Sequence, residues 1–203
     1  IYCLIFFSVF FDIKKIIDSR ILFFNVSAKD AKLKITSCFG KDVPDKVLFD
    51  PHTISQVLNN FISNAIKFTK ENGSVTIQAL FHKMGGSIDK EAKDSGINWF
   101  IKNNIAGLEA GIPDSLIVAV TDSGMGIAPD QIGKLFNKFA QAKSTFVEKA
   151  GTGLGLAISK SIVDSHGGMV GVESIKDQGS TFYFTLPIID LKETAGPAPV
   201  KSN

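Results

Sequence analysis

A mixed sheet covered on one face by helices, an α/β sandwich, is the fold class that this sequence predicts. Three observations carry that expectation. Ile54, Val57, Leu58, Phe61, Ile62, Ala65 and Ile66 form a long apolar stripe at helical spacing. Leu116 to Val120 is a continuous apolar run, as a buried central strand requires. Helical and strand-like segments also follow one another without regular alternation or internal repeat.

The composition agrees with one globular domain. Of 203 residues, 44% are hydrophobic and 21% charged, which excludes a disordered chain, a collagen-like repeat and a charge-rich tail protein. The net charge of +2 is too small for a phosphate-neutralising surface, so no nucleic-acid partner is expected. Cys3 and Cys38 have no CxxC spacing, which argues for a reducing compartment without structural zinc. His52, His82 and His166 are scattered singly and are expected at the surface.

Taken in order, the elements begin after an apolar run, Ile1 to Phe11, that is too short to cross a bilayer and has no cleavage site behind it. The chain lacks an initiating methionine and reads as a fragment or a processed chain; residues 1–8 are left unassigned. Asp12 stands where an N-cap belongs, before a helix over about 12–24 with Ile13, Ile16, Ile17 and Phe24 on its apolar side. Lys32 to Phe39 alternates as a strand does, and Val47-Leu48-Phe49 is a second, short candidate. The striped helix follows from Thr53 and is expected to end near Asn72-Gly73. Val75 to Phe81 is the next strand, and 82–115, rich in glycine and lysine, is expected to be an inserted loop or hairpin. The central strand delivers Thr121-Asp122 into the turn Ser123-Gly124-Met125-Gly126. A loop over 128–150 precedes a glycine cluster and a helix with Leu156, Ile158, Ile162 and Val163 apolar, and strands Met169 to Ser174 and Thr181 to Leu186 close the domain. The domain is therefore placed at 9–190, with 191–203 a flexible, proline-containing tail.

Three constellations carry chemistry. Asn60 and Asn64 lie four residues apart on one helix face, where buried carboxamides need a partner. A carboxamide oxygen suits Mg2+ that draws its remaining shell from water and phosphates, and Lys67 is within reach of the same phosphates. Asparagines facing water are the plainer alternative. In Thr121 to Ile127, TDSGMGI, glycines permit a sharp turn and close approach to a flat ligand, while Asp122 offers an acceptor for an exocyclic amine; an ordinary Asp-Ser-Gly turn is the alternative. The third is GTGLGLAISKSIV, Gly151 to Val163, whose amides and helix N-terminus form a seat for phosphate. Its spacing fails the dinucleotide fingerprint, since Leu156 or Ile158 falls where the last small residue belongs. GxxxxGK[ST] and the HRD and DFG elements of protein kinases are also missing.

In this order the three elements resemble the ATP-binding catalytic domain of sensor histidine kinases, in the superfamily that also holds gyrase, heat-shock-90 and mismatch-repair ATPases. The resemblance runs from about Phe10 to Ile188 through FDIKKIID, DPHTISQVLNNFISNAIKFT, DSGMGI, LFNKFAQ, GTGLGL and HGGMVGVES to GSTFYFTLP. It implies a Bergerat-type fold, a mixed and mostly antiparallel sheet under helices, with ATP held beneath a lid. By that similarity Asn64 binds Mg2+ with Asn60 beside it, Lys67 touches phosphate, Phe68 flanks adenine and Asp122 accepts from its amino group. Gly124, Gly126 and Ile127 line the turn, Phe136 and Phe139 anchor the lid, and Gly151, Thr152, Gly153, Leu154, Gly155 and Leu156 form its far hinge against the phosphates. Thr181 supports Asp122 through water.

The hydrolysing members of that superfamily place a glutamate four residues before the magnesium asparagine, whereas Asn60 stands there in this chain. Poor hydrolysis and transfer to a histidine ring are the implied chemistry, with Asn60 and Lys67 as the catalytic pair. The phosphoacceptor histidine would sit on a dimerisation domain outside this chain, and a response-regulator receiver domain is the implied onward partner in two-component signalling. The resemblance places the domain on the cytoplasmic side, in a parent that is membrane-anchored in many such kinases. A degenerate nucleotide-binding module, and a serine kinase or ATPase of the same superfamily, are the alternatives. Departures are Thr53 where arginine is usual, Ala150 in place of a lid glycine, and a single arginine, Arg20, which leaves cationic lid contacts to Lys138, Lys143 or Lys149.

Overall fold

The computed structural model describes residues 9–97, 111–137 and 153–188. Seven strands and five helices follow in the order β1 (Val9–Phe11), α1 (Ile13–Asp30), β2 (Lys34–Phe39), β3 (Val47–Phe49), α2 (Pro51–Phe68), β4 (Ser74–His82), α3 (Ile88–Asp94), β5 (Ser115–Asp122), α4 (Pro129–Ile132), α5 (Gly155–Ser165), β6 (Val170–Ile175) and β7 (Gly179–Pro187). Five strands form the main sheet in the order β2-β4-β5-β7-β6. Among the described strands, β2 and β4 alone run parallel; the other pairs are antiparallel. The short β1 and β3 pair separately, Val9 against Phe49.

The Bergerat-type α/β fold is present, and strand alternation explains its layers. Val75, Ile77 and Ala79 of β4, Leu116, Val118 and Val120 of β5, and Phe182, Phe184 and Leu186 of β7 point to one face. There they meet Ile13 and Ile17 of α1, Ile54, Val57, Leu58, Phe61 and Ile62 of α2, and Val163 of α5. Phe61 lies at the centre, 5.6 Å from the ring of Phe182 and 6.1 Å from that of Phe184.

Four boundaries differ from expectation. Helix α1 keeps Asp12 as its N-cap, accepting from the amides of Lys14 and Lys15, but runs six residues beyond 24 to Asp30. Its later turns are held by buried Ala28, with Ile21 and Phe24 packed on the core, while Leu22, Phe23 and Val26 are exposed. Helix α2 stops at Phe68, short of Asn72, because Thr69 goes extended and its hydroxyl donates to the Ala65 carbonyl at 2.6 Å. The described part of the 82–115 insert contains α3, capped by Ser87, so the expected loop or hairpin holds a helix instead. Ile88 and Ala92 of α3 pack with Leu80, Ile97, Ile112 and Ile117 on the reverse face of the sheet. Within the expected loop over 128–150, α4 adds one turn of helix.

The histidine expectation fails for His82, which is wholly buried with its Nδ1 2.7 Å from Glu91 of α3. The insert creates that enclosure, and strand pattern alone gave no sign of it. His52 is exposed. His166 is half-buried, its Nδ1 2.8 Å from the Ile162 carbonyl oxygen and its ring 5.9 Å from Phe49. Segments 1–8 and 191–203 lie outside the described residues. Among the described residues, no helix is long and apolar enough to cross a membrane.

Candidate functional site

Helix α2 is the spine of the site, because it touches the other two motif segments at different heights. At mid-helix, Asn60 Nδ2 donates to Ser159 Oγ of α5 at 2.9 Å, and Asn64 Nδ2 reaches Asn60 Oδ1 at 3.5 Å. At its C-terminus, the carbonyl oxygen of Phe68 accepts from the Met125 amide at 3.2 Å, fastening the TDSGMGI turn. The Lys67 ammonium lies over the Phe68 ring, 4.9 Å from its centroid, a cation–π contact.

The turn is built by close backbone approach. A Cβ on Gly124 would stand 2.4 Å from the Phe68 carbonyl oxygen, and one on Gly126, whose φ is +62°, would stand 2.0 Å from that of Ile175. Glycine is required at both places for these reasons. Met125 accepts from the Asp177 amide at 2.7 Å, and the Ile127 amide donates to Ser174 Oγ at 2.7 Å. The turn is thus clamped between α2 and the β6–β7 connection.

Asp122 ends β5 on the helix-covered side, only 4% exposed, with one carboxylate oxygen accepting from the Gly124 amide at 2.8 Å. Burial pushes its pKa up to about 6, against smaller lowering by backbone hydrogen bonds from Gly124 and Ser180. Its partner across the strands is Ser180. The Thr181 side chain points away from Asp122: it pairs with Thr121, and the two hydroxyls lie 3.0 Å apart on the reverse face of the sheet. A one-residue shift in a strand reverses the side-chain direction, and inward-facing Phe182 and Phe184 place Ser180 on the Asp122 side. The same parity is readable in GSTFYF. Ser180 joins Ser174, their hydroxyls 3.0 Å apart, so these two serines extend the site beyond the residues the motifs suggested.

Helix α5 begins at Gly155 with Leu154 at its N-cap and, among the described residues, no side-chain cap on its first-turn amides. Gly153 before it has φ +69°. Gly155 admits Asn60 closely, since a Cβ there would fall 2.3 Å from Asn60 Oδ1. Leu156 packs on the core, and so does Phe136, whose ring lies 6.4 Å from Phe182. Phe139, Gly151 and Thr152, with Lys138, Lys143 and Lys149, lie outside the described residues.

Residues 49–190, more than half of the chain, match the family model described as histidine kinase-, DNA gyrase B-, and HSP90-like ATPase. The chain belongs to this family. Within the histidine kinase-like ATPases it is 34% identical over 159 residues to the sensor histidine kinase WalK of Bacillus subtilis, covering 76% of this chain and 21% of that protein. It is 32% identical over 180 residues to the signal transduction histidine-protein kinase BarA of Escherichia coli, covering 88% of this chain and 17% of that one. It thus spans about a fifth of the length of these relatives. Among solved structures, full-length ShkA in complex with AMPPNP superposes with a TM-score of 0.66 at 27% identity, covering 90% of this chain and 31% of that one. The nucleotide-free catalytic domain of histidine kinase ThkA gives 0.61 at 25%, covering 89% and 97% respectively.

A second raised carboxyl lies on the reverse face. Burial, and then the charge of Asp89, push Glu173 up to about 7. Asp122 and Glu173 both hold a proton more tightly in the folded chain than in the unfolded one. Their contribution to stability is complete below about pH 4 and is lost as the pH rises through 6 to 7. Glu173→Gln is expected to flatten the decline of the urea midpoint between about pH 4.5 and 7, measured against the parent chain; an unchanged slope would remove Glu173 as its source.

Proposed function

We propose that this chain is the ATP-binding catalytic domain of a sensor or hybrid histidine kinase, which transfers the γ-phosphoryl group of ATP to a histidine on a separate dimerisation domain. The arrangement around Asn60 is the observation that carries this reading. Its carboxamide spans Ser159 and Asn64 and has no basic lone pair with which to activate water. A neutral imidazole is itself nucleophilic and needs little base assistance, so a site without a general base suits histidine as acceptor.

The residues present fit a magnesium nucleotide. Asn64 has its amino group turned toward Asn60, which leaves its oxygen, a hard neutral donor, for the cation. The uncapped start of α5 supplies amides for phosphate, and Lys67 adds a charge at the end of α2. Mg2+ bound there would neutralise charge on the phosphates during transfer. Asp122 supplies a buried acceptor for the adenine amino group, held in place by Gly124. What remains for the protein is orientation of the nucleotide and exclusion of water, with Phe136 anchored on the core at the border of the lid segment.

Incubation with labelled ATP, Mg2+ and a separately supplied histidine-bearing dimerisation hairpin tests the reading. Acid-labile, base-stable label on the hairpin is expected, passing on to a receiver domain. Released inorganic phosphate would instead establish an ATPase, acid-stable label a serine kinase, and nucleotide binding without either a degenerate module. For the cation, Asn64→Asp is expected to weaken nucleotide binding without Mg2+ through repulsion of the phosphates and to steepen its magnesium dependence. Identical magnesium titrations of variant and parent would remove Asn64 from the metal site.

A further inference from the structure

Gly155 and Ser159 stand one turn apart on α5 and both face Asn60, the first by making room for it and the second by bonding it. Ser159 is 1% exposed, so its hydroxyl is a buried polar group whose partner is the Asn60 amide. Asn60 Nδ2 donates to Ser159 Oγ at 2.9 Å while Asn60 Oδ1 lies 3.5 Å from the amino group of Asn64, so one carboxamide links the two side chains. The amino group of Asn64 faces Asn60, and its oxygen is directed away from it.

We infer that Ser159 is a positioning residue for the metal site, holding the Asn60 carboxamide in place and through it the Asn64 side chain. The inference rests on the reading of Asn64 as the cation's ligand. It also gives the two motif helices a shared task. The helix that starts at the phosphate seat reports its placement to the residue that holds the cation, through one hydrogen bond across the α2–α5 contact and a second along α2. A shift of α5 along α2 breaks the first of them.

The test compares affinity for a nonhydrolysable ATP analogue, with and without Mg2+, in the parent chain and in Ser159→Ala, Ser159→Thr, Asn60→Ala and the Ser159→Ala, Asn60→Ala pair. Ser159→Ala is expected to reduce the magnesium-dependent gain in affinity about fivefold, the worth of one hydrogen bond, and to leave magnesium-free binding unchanged. Ser159→Thr keeps the hydroxyl and should retain the gain, and Ser159→Ala should have no further effect once Asn60 is alanine. Equal loss of affinity with and without Mg2+, no loss at all, or additive effects in the pair would each overturn the inference. Absence of magnesium-dependent binding in the parent chain would overturn the underlying reading of Asn64 instead, so the two failures are distinct.

Discussion

Asp122→Asn is expected to weaken nucleotide binding about tenfold to a hundredfold while making the free domain more stable. The two effects come from one atom exchange. The retained side-chain oxygen can still accept from the Gly124 amide at 2.8 Å, but the other carboxylate oxygen becomes an amino group that confronts the donor on adenine. Losing a charge-assisted hydrogen bond and burying opposed donors costs about 1.5–3 kcal/mol, roughly tenfold to a hundredfold in affinity. In the free protein the exchange removes a carboxylate that burial disfavours, as its pKa of about 6 records. Relief of that cost is on the order of 1–3 kcal/mol above pH 6, and vanishes at pH 4, where the parent carboxyl is protonated. Calorimetric titration and thermal unfolding of the same samples check both halves. Unchanged affinity would take Asp122 out of the pocket, and a lower melting temperature at pH 7 would contradict the assigned cost of its burial.

Gly126→Ala is expected to be the most damaging single methyl addition in the turn. The backbone at Gly126 has φ +62°, and the new Cβ would stand 2.0 Å from the Ile175 carbonyl oxygen, a contact with backbone that no rotamer change relieves. The turn must then move away from the β6–β7 connection, losing the Asp177–Met125 and Ile127–Ser174 bonds. A loss of about 3 kcal/mol or more in unfolding free energy is expected, with nucleotide binding reduced in the fraction that stays folded. Gly133→Ala, where a Cβ meets nothing within 4 Å, is the control and should leave stability nearly unchanged. Urea unfolding of the pair decides it, and equal midpoints would show that the turn yields without strain.

Where one physical rule dominated, the sequence was legible. The α2 stripe, the β5 apolar run and the Asp12 cap are each local patterns, and each marks its element, although α1 ends later and α2 earlier than expected. The site was legible to the extent that motifs name residues, and α2 brings Asn60, Asn64 and Phe68 against the other two motif segments. What stayed hidden depends on partners distant in the chain. Ser159 is unremarkable until a residue 99 positions earlier is set against it. The burial of His82 depends on an insert whose periodicity is too weak to reveal α3. Thr181 and Ser180 differ only in strand parity, a distinction that the inward phenylalanines decide and that a motif comparison passes over.

The parallel pairing of β2 with β4 has a consequence for how the chain reaches this structure. Phe39 and Ser74 are joined through β3 and the whole of α2, so β2 cannot find its neighbour by a local turn. β4 and β5 likewise pair only after the entire insert has been looped out. Both closures surrender chain entropy before any ladder bond returns it. Early collapse of α2 onto the apolar β4 and β5, with Phe61 at the meeting point, is therefore the expected first step, and edge strand β2 is expected to join a sheet already assembled on its helix.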